Sequence, residues 1–472
     1  MSDNKSFTTD FTLDSATIQP VGWDKPKLIT DAVLNFNYWE RIDLPTVSGE
    51  IMLRDNAENM ISTLPIQGNE EIVIKLTAAV DNTQRTYKFR VFKIFSRYST
   101  DRFQTYKLGL VSEEALRNEA TKVGLVLKGT PSEIVSKMIS EYIGSDKPLN
   151  ADDSINKIKI QPGKKTPFAI IESMRMKSVA QKSRTSNTKG SFGSLSLDQT
   201  SNSDIASTKD HEKQIHGSTG FFFYENREGY NFRSMNELMN PQTEPVATYV
   251  QSASSGLGDE DAALKITNLD FTREIDLLSK LRMGAYSSVI VFYDYSTGKY
   301  DEMAYNTAEQ YNKMQHLGTQ TELSPGQKEL AQNPTRVMSV LMDNETWFDE
   351  PDEPGTPDPE DNPNGKGSPF PDWQKHYMAQ SIARLQTVDN QQLKITVPAN
   401  PVLKIGDIIN VKIPNQEVPQ VRKTKQWDPE HSGNYLIAKV NHSFNVKSPM
   451  AETFLTLIRD SYGAGVQSNF GT

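Results

Sequence analysis

The chain has 472 residues, which is too long for one simple domain and predicts about three domains of ordinary size. Its 51 basic and 60 acidic residues give a net charge of −9, which argues against a protein whose main task is to grip nucleic acid, because such proteins carry a basic surface. The absence of cysteine excludes a disulfide scaffold, a thiol nucleophile, a cysteine-ligated zinc site and an iron–sulfur cluster.

The sequence also predicts neither an export signal nor a membrane span. Residues 1–15 lack the basic segment followed by an apolar core that a signal peptide needs. The longest apolar run, at residues 288–293, is far shorter than the roughly 18 residues of a spanning helix. We therefore expect a soluble protein without membrane insertion.

Residues 1–112 show β patterning, rich in β-branched and aromatic side chains. The segments that carry it are residues 28–40, 71–80, 85–98 and 103–112. The last of these alternates, which predicts a half-buried strand with Tyr106, Leu108 and Leu110 facing the core. With turns at Gly49 and Gly68, the pattern favours an antiparallel barrel or sandwich.

Residues 113–257 change to a helical period, which predicts an α+β domain. Ser112 is placed to cap one helix, and a second begins with Thr130 as N-cap, Pro131 at the first position and Glu133 at the capping-box position. A third helix opens at residues 166–167, and residues 221–234 predict a hairpin around Gly229.

Two stretches do not have the composition of a folded core. Residues 177–219 contain 15 Ser or Thr among 43 residues and predict a mobile loop. Residues 349–372 hold seven Pro, eight acidic residues and one Lys, so this linker carries −7 and leaves −2 on the rest of the chain. We interpret it as a solvated extended connector rather than an interaction arm.

The C-terminal third returns to β patterning. A strand at 264–271, a helix near 274–282 and a hairpin turning at Gly298 are followed by an amphipathic helix at 372–386. The core face of that helix is predicted to be Met378, Ile382 and Leu385. Four strands, at residues 392–400, 407–414, 435–444 and 452–460, complete a second barrel. The two β halves look like one architecture used twice.

No motif for catalysis or cofactor binding emerges from the sequence. The six histidines are His211, His216, His316, His376, His431 and His442, and none has metal-ligand spacing. Residues 161–167 lack the first glycine of a phosphate loop, since position 158 is Ile, and residues 255–261 lack the third glycine of a dinucleotide fold. None of the 60 carboxylates is singled out as half of a catalytic pair. We predict a structural protein with no catalytic, metal or cofactor site.

The C-terminal strands and turns resemble the closing barrel of phage baseplate hub proteins, the group that includes the central hub of T-even-type contractile tails. The positions that carry this resemblance are Pro398, Pro401, Gly406, Asp407, Gly433, Tyr435 and His442. Residues 47–55, 64–76, 105–119 and 220–234 also look like this family. We interpret the seven named positions as structural: glycine permits a positive φ in a tight turn, and proline is tolerated where a strand ends.

The resemblance implies a mainly β fold with two tube-type antiparallel β-barrels and an outer α+β domain. It implies the domains 1–112 (first barrel), 113–257 (outer α+β domain), 258–305 with 384–461 (second barrel), 306–383 (insertion) and 462–472 (tail). The residues at 177–219, 306–336 and 349–372 are insertions relative to the compact family pattern.

The resemblance also implies a function. Hub proteins form a homotrimeric ring whose six similar barrels adapt a three-fold central spike to a six-fold tail tube, around a channel that DNA crosses without specific binding. The implied partners are the spike, the tail tube or tube-initiator protein, the tape-measure protein and baseplate wedge proteins. The implied location is the virion baseplate, assembled in the host cytoplasm. The alternatives are a tail-associated peptidoglycan hydrolase, a type VI secretion spike-like protein and a carbohydrate-binding module.

Overall fold

A computed structural model describes most of the chain. The described residues are 10–56, 64, 66–100, 102–180, 218–251, 263–273, 276–294, 298, 300–320, 322–342, 374–415, 427–447 and 450–462. Most of the predicted Ser/Thr-rich loop, the acidic linker at 349–372 and residues 463–472 of the predicted tail lie outside them.

The N-terminal part forms antiparallel strands, which include those predicted at residues 28–40, 71–80, 85–98 and 103–112. They are β1 (Phe11–Gln19), β2 (Lys27–Leu28), β3 (Val33–Arg41), β4 (Ser48–Asp55), β5 (Glu71–Ala78), β6 (Gln84–Ser99) and β7 (Gln104–Val111). The predicted turn at Gly49 is wrong, because Gly49 lies within a strand and pairs with Tyr38 and Leu110. Tyr106, Leu108 and Leu110 are fully buried, which confirms the predicted inward face of β7. We call β1 and β3–β7 the first barrel.

An α+β unit follows. Its elements are α1 (Glu113–Ala120), β8 (Leu127–Gly129), α2 (Pro131–Lys137) continued by a π-helical turn (Met138–Ile143), β9 (Leu149–Ala151), β10 (Ile158–Ile160), α3 (Pro167–Lys177), β11 (Val179–Ala180), β12 (Ser218–Thr219), β13 (Phe221–Asn226), β14 (Gly229–Ser234) and α4 (Met235–Leu238). The predicted capping box of Thr130 and Glu133 forms at the start of α2. Ser112 occupies the N-cap of α1 but makes no capping hydrogen bond there. The predicted hairpin is β13–β14.

The remaining elements return mainly to β structure. They are β15 (Thr248–Val250), β16 (Asn268–Arg273), α5 (Leu277–Arg282), β17 (Ser287–Asp294), β18 (Tyr300–Asn306), α6 (Thr307–Gln310), α7 (Pro325–Leu330), β19 (Arg336–Met342), α8 (Gln374–Thr387), β20 (Gln391–Pro398), β21 (Ile408–Lys412), β22 (Gly433–Asn445) and β23 (Met450–Arg459). We call β15, β16 and β20–β23 the second barrel.

The hairpin β17–β18 lies outside the second barrel. Residues 258–305 were predicted to belong to that barrel, but β17 pairs with β18 on one side and in parallel with β19 on the other. These three strands form a separate sheet. β18 and β19 occupy the two edges of β17, and β19 comes from a distant part of the chain, so neither edge of β17 pairs with a strand of the second barrel.

The buried face of α8 also differs from the prediction. The expected core residues Met378, Ile382 and Leu385 are half-buried, whereas Ala379 and Ala383 are almost fully buried. The helix contacts α3 and β12 as well as β17 and β18, so neighbours enclose it on more than one side. A pattern with a single apolar stripe does not describe such a helix, and alanine allows neighbours to approach closely.

The two barrels have the same strand order. In space the first barrel runs β3-β4-β7-β6-β5-β1, and the second runs β16-β20-β23-β22-β21-β15. Numbered by chain order within each barrel, both give 2-3-6-5-4-1. The units differ at one pairing, because β1 is antiparallel to β5 whereas β15 is parallel to β21. All of these strands and β2 belong to one 13-stranded sheet, which the pairing of β22 with β3 makes continuous.

Candidate functional site: the joint between the barrels

The C-terminal half of β22 joins the two barrels. It pairs antiparallel with β3 from Lys439 opposite Arg41 to Asn445 opposite Asn35. Phe444 of β22 stacks on Phe36 with ring centroids 6.0 Å apart, and it belongs to the buried core of the first barrel. The joint therefore combines a strand ladder with shared apolar packing.

His442 lies buried in this joint and stacks on Tyr38, with ring planes within 2° of parallel. Its Nε2 is 3.2 Å from the carbonyl oxygen of Leu403, which only accepts, so Nε2 carries the proton. Nδ1 then accepts from the Thr453 hydroxyl at 2.9 Å. Burial lowers the pKa of His442 to about 3, so the ring is neutral near pH 7.

The connection between β20 and β21 lies over the same joint. Pro398 ends β20 opposite Glu452, and the carbonyl of Pro401 accepts from the Arg227 guanidinium. The backbone N–H of Asn400 donates to the Thr453 hydroxyl at 3.1 Å, so two hydrogen bonds through Thr453 link this connection to His442.

Gly406 and Asp407 form the tight turn before β21. Gly406 has φ +87°, and a Cβ there would lie 2.2 Å from the Tyr224 hydroxyl, so glycine is required by both conformation and space. The Asp407 carboxylate accepts from the backbone N–H of Lys404 at 3.2 Å. Burial raises the pKa of Asp407 to about 6.

Gly433 and Tyr435 lie at the opposite end of β22. Gly433 has φ +130°, and a Cβ there would lie 3.1 Å from the Arg459 guanidinium. The buried Tyr435 donates its hydroxyl proton to the carbonyl of His431 at 2.9 Å, and Arg459 lies 4.4 Å above its ring. Of the seven family-pattern positions, this pair is away from the β22–β3 joint, whereas the other five surround it.

Glu40 was missed by sequence reasoning, although it connects three parts of the molecule. This β3 carboxylate is 1% exposed and accepts from the Tyr38 hydroxyl at 2.7 Å. It also accepts from the backbone N–H of Arg227, in the β13–β14 turn, at 2.7 Å and from that of Ile405, in the second barrel, at 2.9 Å. Burial raises the pKa of Glu40 to about 7.

Glu225 makes a second buried link between the α+β unit and the first barrel. Its carboxylate accepts from the backbone N–H of Val47 at 2.9 Å and lies 2.5 Å from the Lys147 ammonium. Lys147 also pairs with Glu114 at 2.6 Å. Burial raises the pKa of Glu225 despite this cation. One lysine thus balances two carboxylates that lie almost out of solvent.

A separate buried cluster holds the C-terminal end of β23. His316 places Nδ1 2.8 Å from the Asp460 carboxylate and Nε2 2.8 Å from the carbonyl of Tyr311. Each ring nitrogen of His316 therefore lies beside an oxygen that accepts hydrogen bonds. Burial raises the pKa of Asp460, but His316 and Arg384 outweigh burial and hold it below its usual range.

The arrangement of these buried polar clusters indicates a structural role. Their polar side chains bond to backbone groups and side chains of other segments, as expected for buried polar groups that fix one arrangement. Among the described residues there is no group of three or more histidine and carboxylate side chains suited to a metal ion. None of the helices in the described ranges is long and apolar enough to cross a membrane.

Comparison with known proteins gives a fold. No protein-family model and no curated protein matches the sequence. The solved tail protein from Neisseria meningitidis MC58 matches with a TM-score of 0.51 at 10% identity, covering 96% of this chain and 98% of that one. The prophage MuSo2 43 kDa tail protein from Shewanella oneidensis gives 0.48 at 8% identity, covering 94% and 98%. An E. coli type VI secretion component gives 0.40 at 11%, covering 95% and 78%. The chain thus shares the Neisseria tail protein's fold over nearly its whole length.

Proposed function

We propose that this chain is the baseplate hub of a tailed phage, a homotrimeric ring that joins a three-fold central spike to a six-fold tail tube. The observation that carries the proposal is the repeated strand order within one continuous sheet. Three chains with two equivalent barrels each supply six similar units around one axis, which reconciles the two symmetries. The fold shared with the Neisseria tail protein supports the same assignment.

In this proposal the six barrels surround a channel through which DNA passes without specific binding. The net charge of −2 outside residues 349–372 gives little electrostatic attraction to phosphate. The tail tube or tube-initiator protein and the tape-measure protein would meet one end of the ring, and the spike the other. The hub would assemble in the host cytoplasm and act in the virion baseplate.

We propose the domain division 1–112, 113–257, 258–305 with 384–461, 306–383 and 462–472, with two amendments: β15, within 113–257, goes with the second barrel because it pairs with β21, and β17 and β18 go with β19. The α+β domain would lie outside the ring, where baseplate wedge proteins could reach it. The buried links through Glu40 and Glu225 would hold it rigidly against both barrels.

The proposed hub has no enzymatic activity of its own, and its assembly is testable directly. Light scattering on the purified full chain should give three times 53.0 kDa. A monomer at every concentration, even with a co-expressed spike, would contradict the proposal. Peptidoglycan zymography then tests the alternative function, since a clearing zone would show a hydrolase.

A further inference from the structure

Within the part of the chain that the structure describes, one edge of β6 is paired with another strand along only half of its length. β5 pairs with residues 84–90 of β6, and β7 pairs with the opposite edge as far as Ser99. Along residues 92–99 the edge beyond β5 has no strand partner among the described residues. In the second barrel the equivalent strand β22 pairs with β21 up to Leu436, and its remaining half forms the joint with β3.

The equivalence of β6 and β22 extends to individual residues. Each barrel has one row of residues paired across four strands, Phe36–Ile51–Leu108–Ile94 in the first and Leu269–Ile395–Leu455–Val440 in the second. A β-bulge precedes Lys93 in β6 and Lys439 in β22. Thus Ile94 corresponds to Val440, and the free half of β6 corresponds to the half of β22 that makes the joint.

The turns before these halves correspond as well. The backbone of Val91 exchanges hydrogen bonds with Asn69 and Glu70, at 2.7 and 3.0 Å. In the same way Ile437 bonds to Gly406 and Asp407, at 3.1 and 2.9 Å. Asn69, at φ +71°, repeats the left-handed conformation of Gly406.

The second free edge belongs to β16, the equivalent of β3. β16 pairs with β20, and its other edge has no strand partner within the described ranges. Phe271 of β16 is 39% exposed, whereas Tyr38, which holds the same position in β3, is 2% exposed because β22 and its loop cover it. Among the described residues, each chain therefore has one unpaired edge equivalent to β22, in β6, and one equivalent to β3, in β16. These are the equivalents of the two strands that form the internal joint.

We propose that residues 92–99 of β6 pair antiparallel with β16 of a second copy of this chain, repeating between chains the β22–β3 joint. The β6 edge and the β16 edge differ, so each copy can use its β6 edge to bind one neighbour and its β16 edge to bind another. Such a head-to-tail contact continues from copy to copy until a ring closes. The contact covers two exposed sheet edges, which folded proteins rarely leave open. Residues 92–99 of β6 carry two positive charges, whereas β16 carries Asp270 and Arg273 and is neutral overall, so the strand pairing rather than charge specifies the contact. The proposed function contributes only the number of copies, three.

The intrachain register predicts the contact between chains. Ser443 lies opposite Asn37 in the internal joint. A second bulge in β6, between Phe95 and Tyr98, inserts one residue that β22 lacks. Beyond that bulge Tyr98 corresponds to Ser443, because both lie opposite equivalent residues of β7 and β23, Thr105 and Glu452. Asp270 corresponds to Asn37. Tyr98 of one copy should therefore lie opposite Asp270 of the next, where two cysteines would come within the Cα distance that a disulfide needs.

The test is a cysteine pair in the full chain, which has no cysteine of its own. The Tyr98→Cys/Asp270→Cys variant should form disulfide-linked dimers and trimers on mild oxidation, seen on non-reducing gels and lost on reduction. Each single variant should remain uncrosslinked. Tyr98→Cys with Asn268→Cys, two residues out of register, should crosslink far less. Asn37→Cys with Ser443→Cys is the matched positive control and should close within one chain.

Light scattering on the unmodified chain separates the two ways of failing. A trimer whose Tyr98→Cys/Asp270→Cys variant gives only monomer bands would overturn the proposed joint and leave the ring intact. A chain that stays monomeric and uncrosslinked would overturn both the joint and the proposed function. Crosslinking that stops at dimers, or that ignores the register, would overturn ring closure through these strands.

Discussion

Replacing Glu40 by Gln should change how stability depends on pH. Glu40 is almost fully buried, and its pKa is raised from 4.5 to about 7. A carboxyl whose pKa is higher in the folded than in the unfolded state takes up a proton on folding. The wild type should therefore lose stability as pH rises from about 4.5 to 7, whereas the variant has no titrating group at this position.

The expected size follows from that difference in pKa. At about 1.4 kcal/mol for each unit of pKa, a rise from 4.5 to about 7 corresponds to about 3 kcal/mol. The hydrogen bonds that Gln cannot reproduce shift the variant's stability by an amount that does not depend on pH. The variant should therefore gain about 2 to 3 kcal/mol relative to the wild type between pH 5 and pH 8.

Urea unfolding followed by tryptophan fluorescence at several pH values measures this difference. Glu50→Gln is the matched control, because it removes a half-buried carboxylate from the neighbouring strand β4, where Glu50 pairs with Lys107 at 2.7 Å. A similar pH slope in both variants would assign the effect to general surface charge. A flat difference for Glu40→Gln would refute the link between burial and the raised pKa of Glu40.

Three further predictions concern the same junctions. Gly406→Ala should destabilise the folded chain by roughly 2 to 4 kcal/mol, because of backbone strain and the clash with Tyr224. The control Gly163→Ala, also at positive φ but in open space, should destabilise it less, and thermal unfolding compares the two variants. Lys147→Met should cost roughly 3 to 5 kcal/mol in urea, because it leaves buried carboxylates without their cation. His442→Gln should be less stable than the wild type, and the difference in unfolding free energy should become smaller as pH falls from 6.5 towards 3, since the neutral wild-type ring loses its stabilising contribution there. A difference that does not depend on pH would contradict this.

Local structure was predictable where the determinants lie close together in sequence. The capping box of α2 needs only Thr130 and Glu133, three residues apart, and the inward face of β7 follows from strict alternation. The sheet that contains β17 was not predictable in this way, since its parallel partner β19 lies about forty residues further along the chain.

The roles of the residues around the joint between the barrels were not predictable for the same reason. Glu40 alternates with Phe36 and Tyr38 on the inward face of β3, a position where a carboxylate contradicts the binary pattern. Its donors Arg227 and Ile405 lie 187 and 365 residues away, so only the folded chain shows how the charge is satisfied. Gly406 and Asp407 were identifiable as a turn, but the clash that requires glycine comes from Tyr224 in another domain.

Image averaging of the purified full chain by electron microscopy tests the repeated-barrel ring most directly. The two equivalent barrels of each chain predict end-on averages with three-fold symmetry, a six-lobed outline and a central opening. A two-fold dimer, a compact particle without an opening, or a ring with a number of lobes that is not twice the number of chains would contradict the hub.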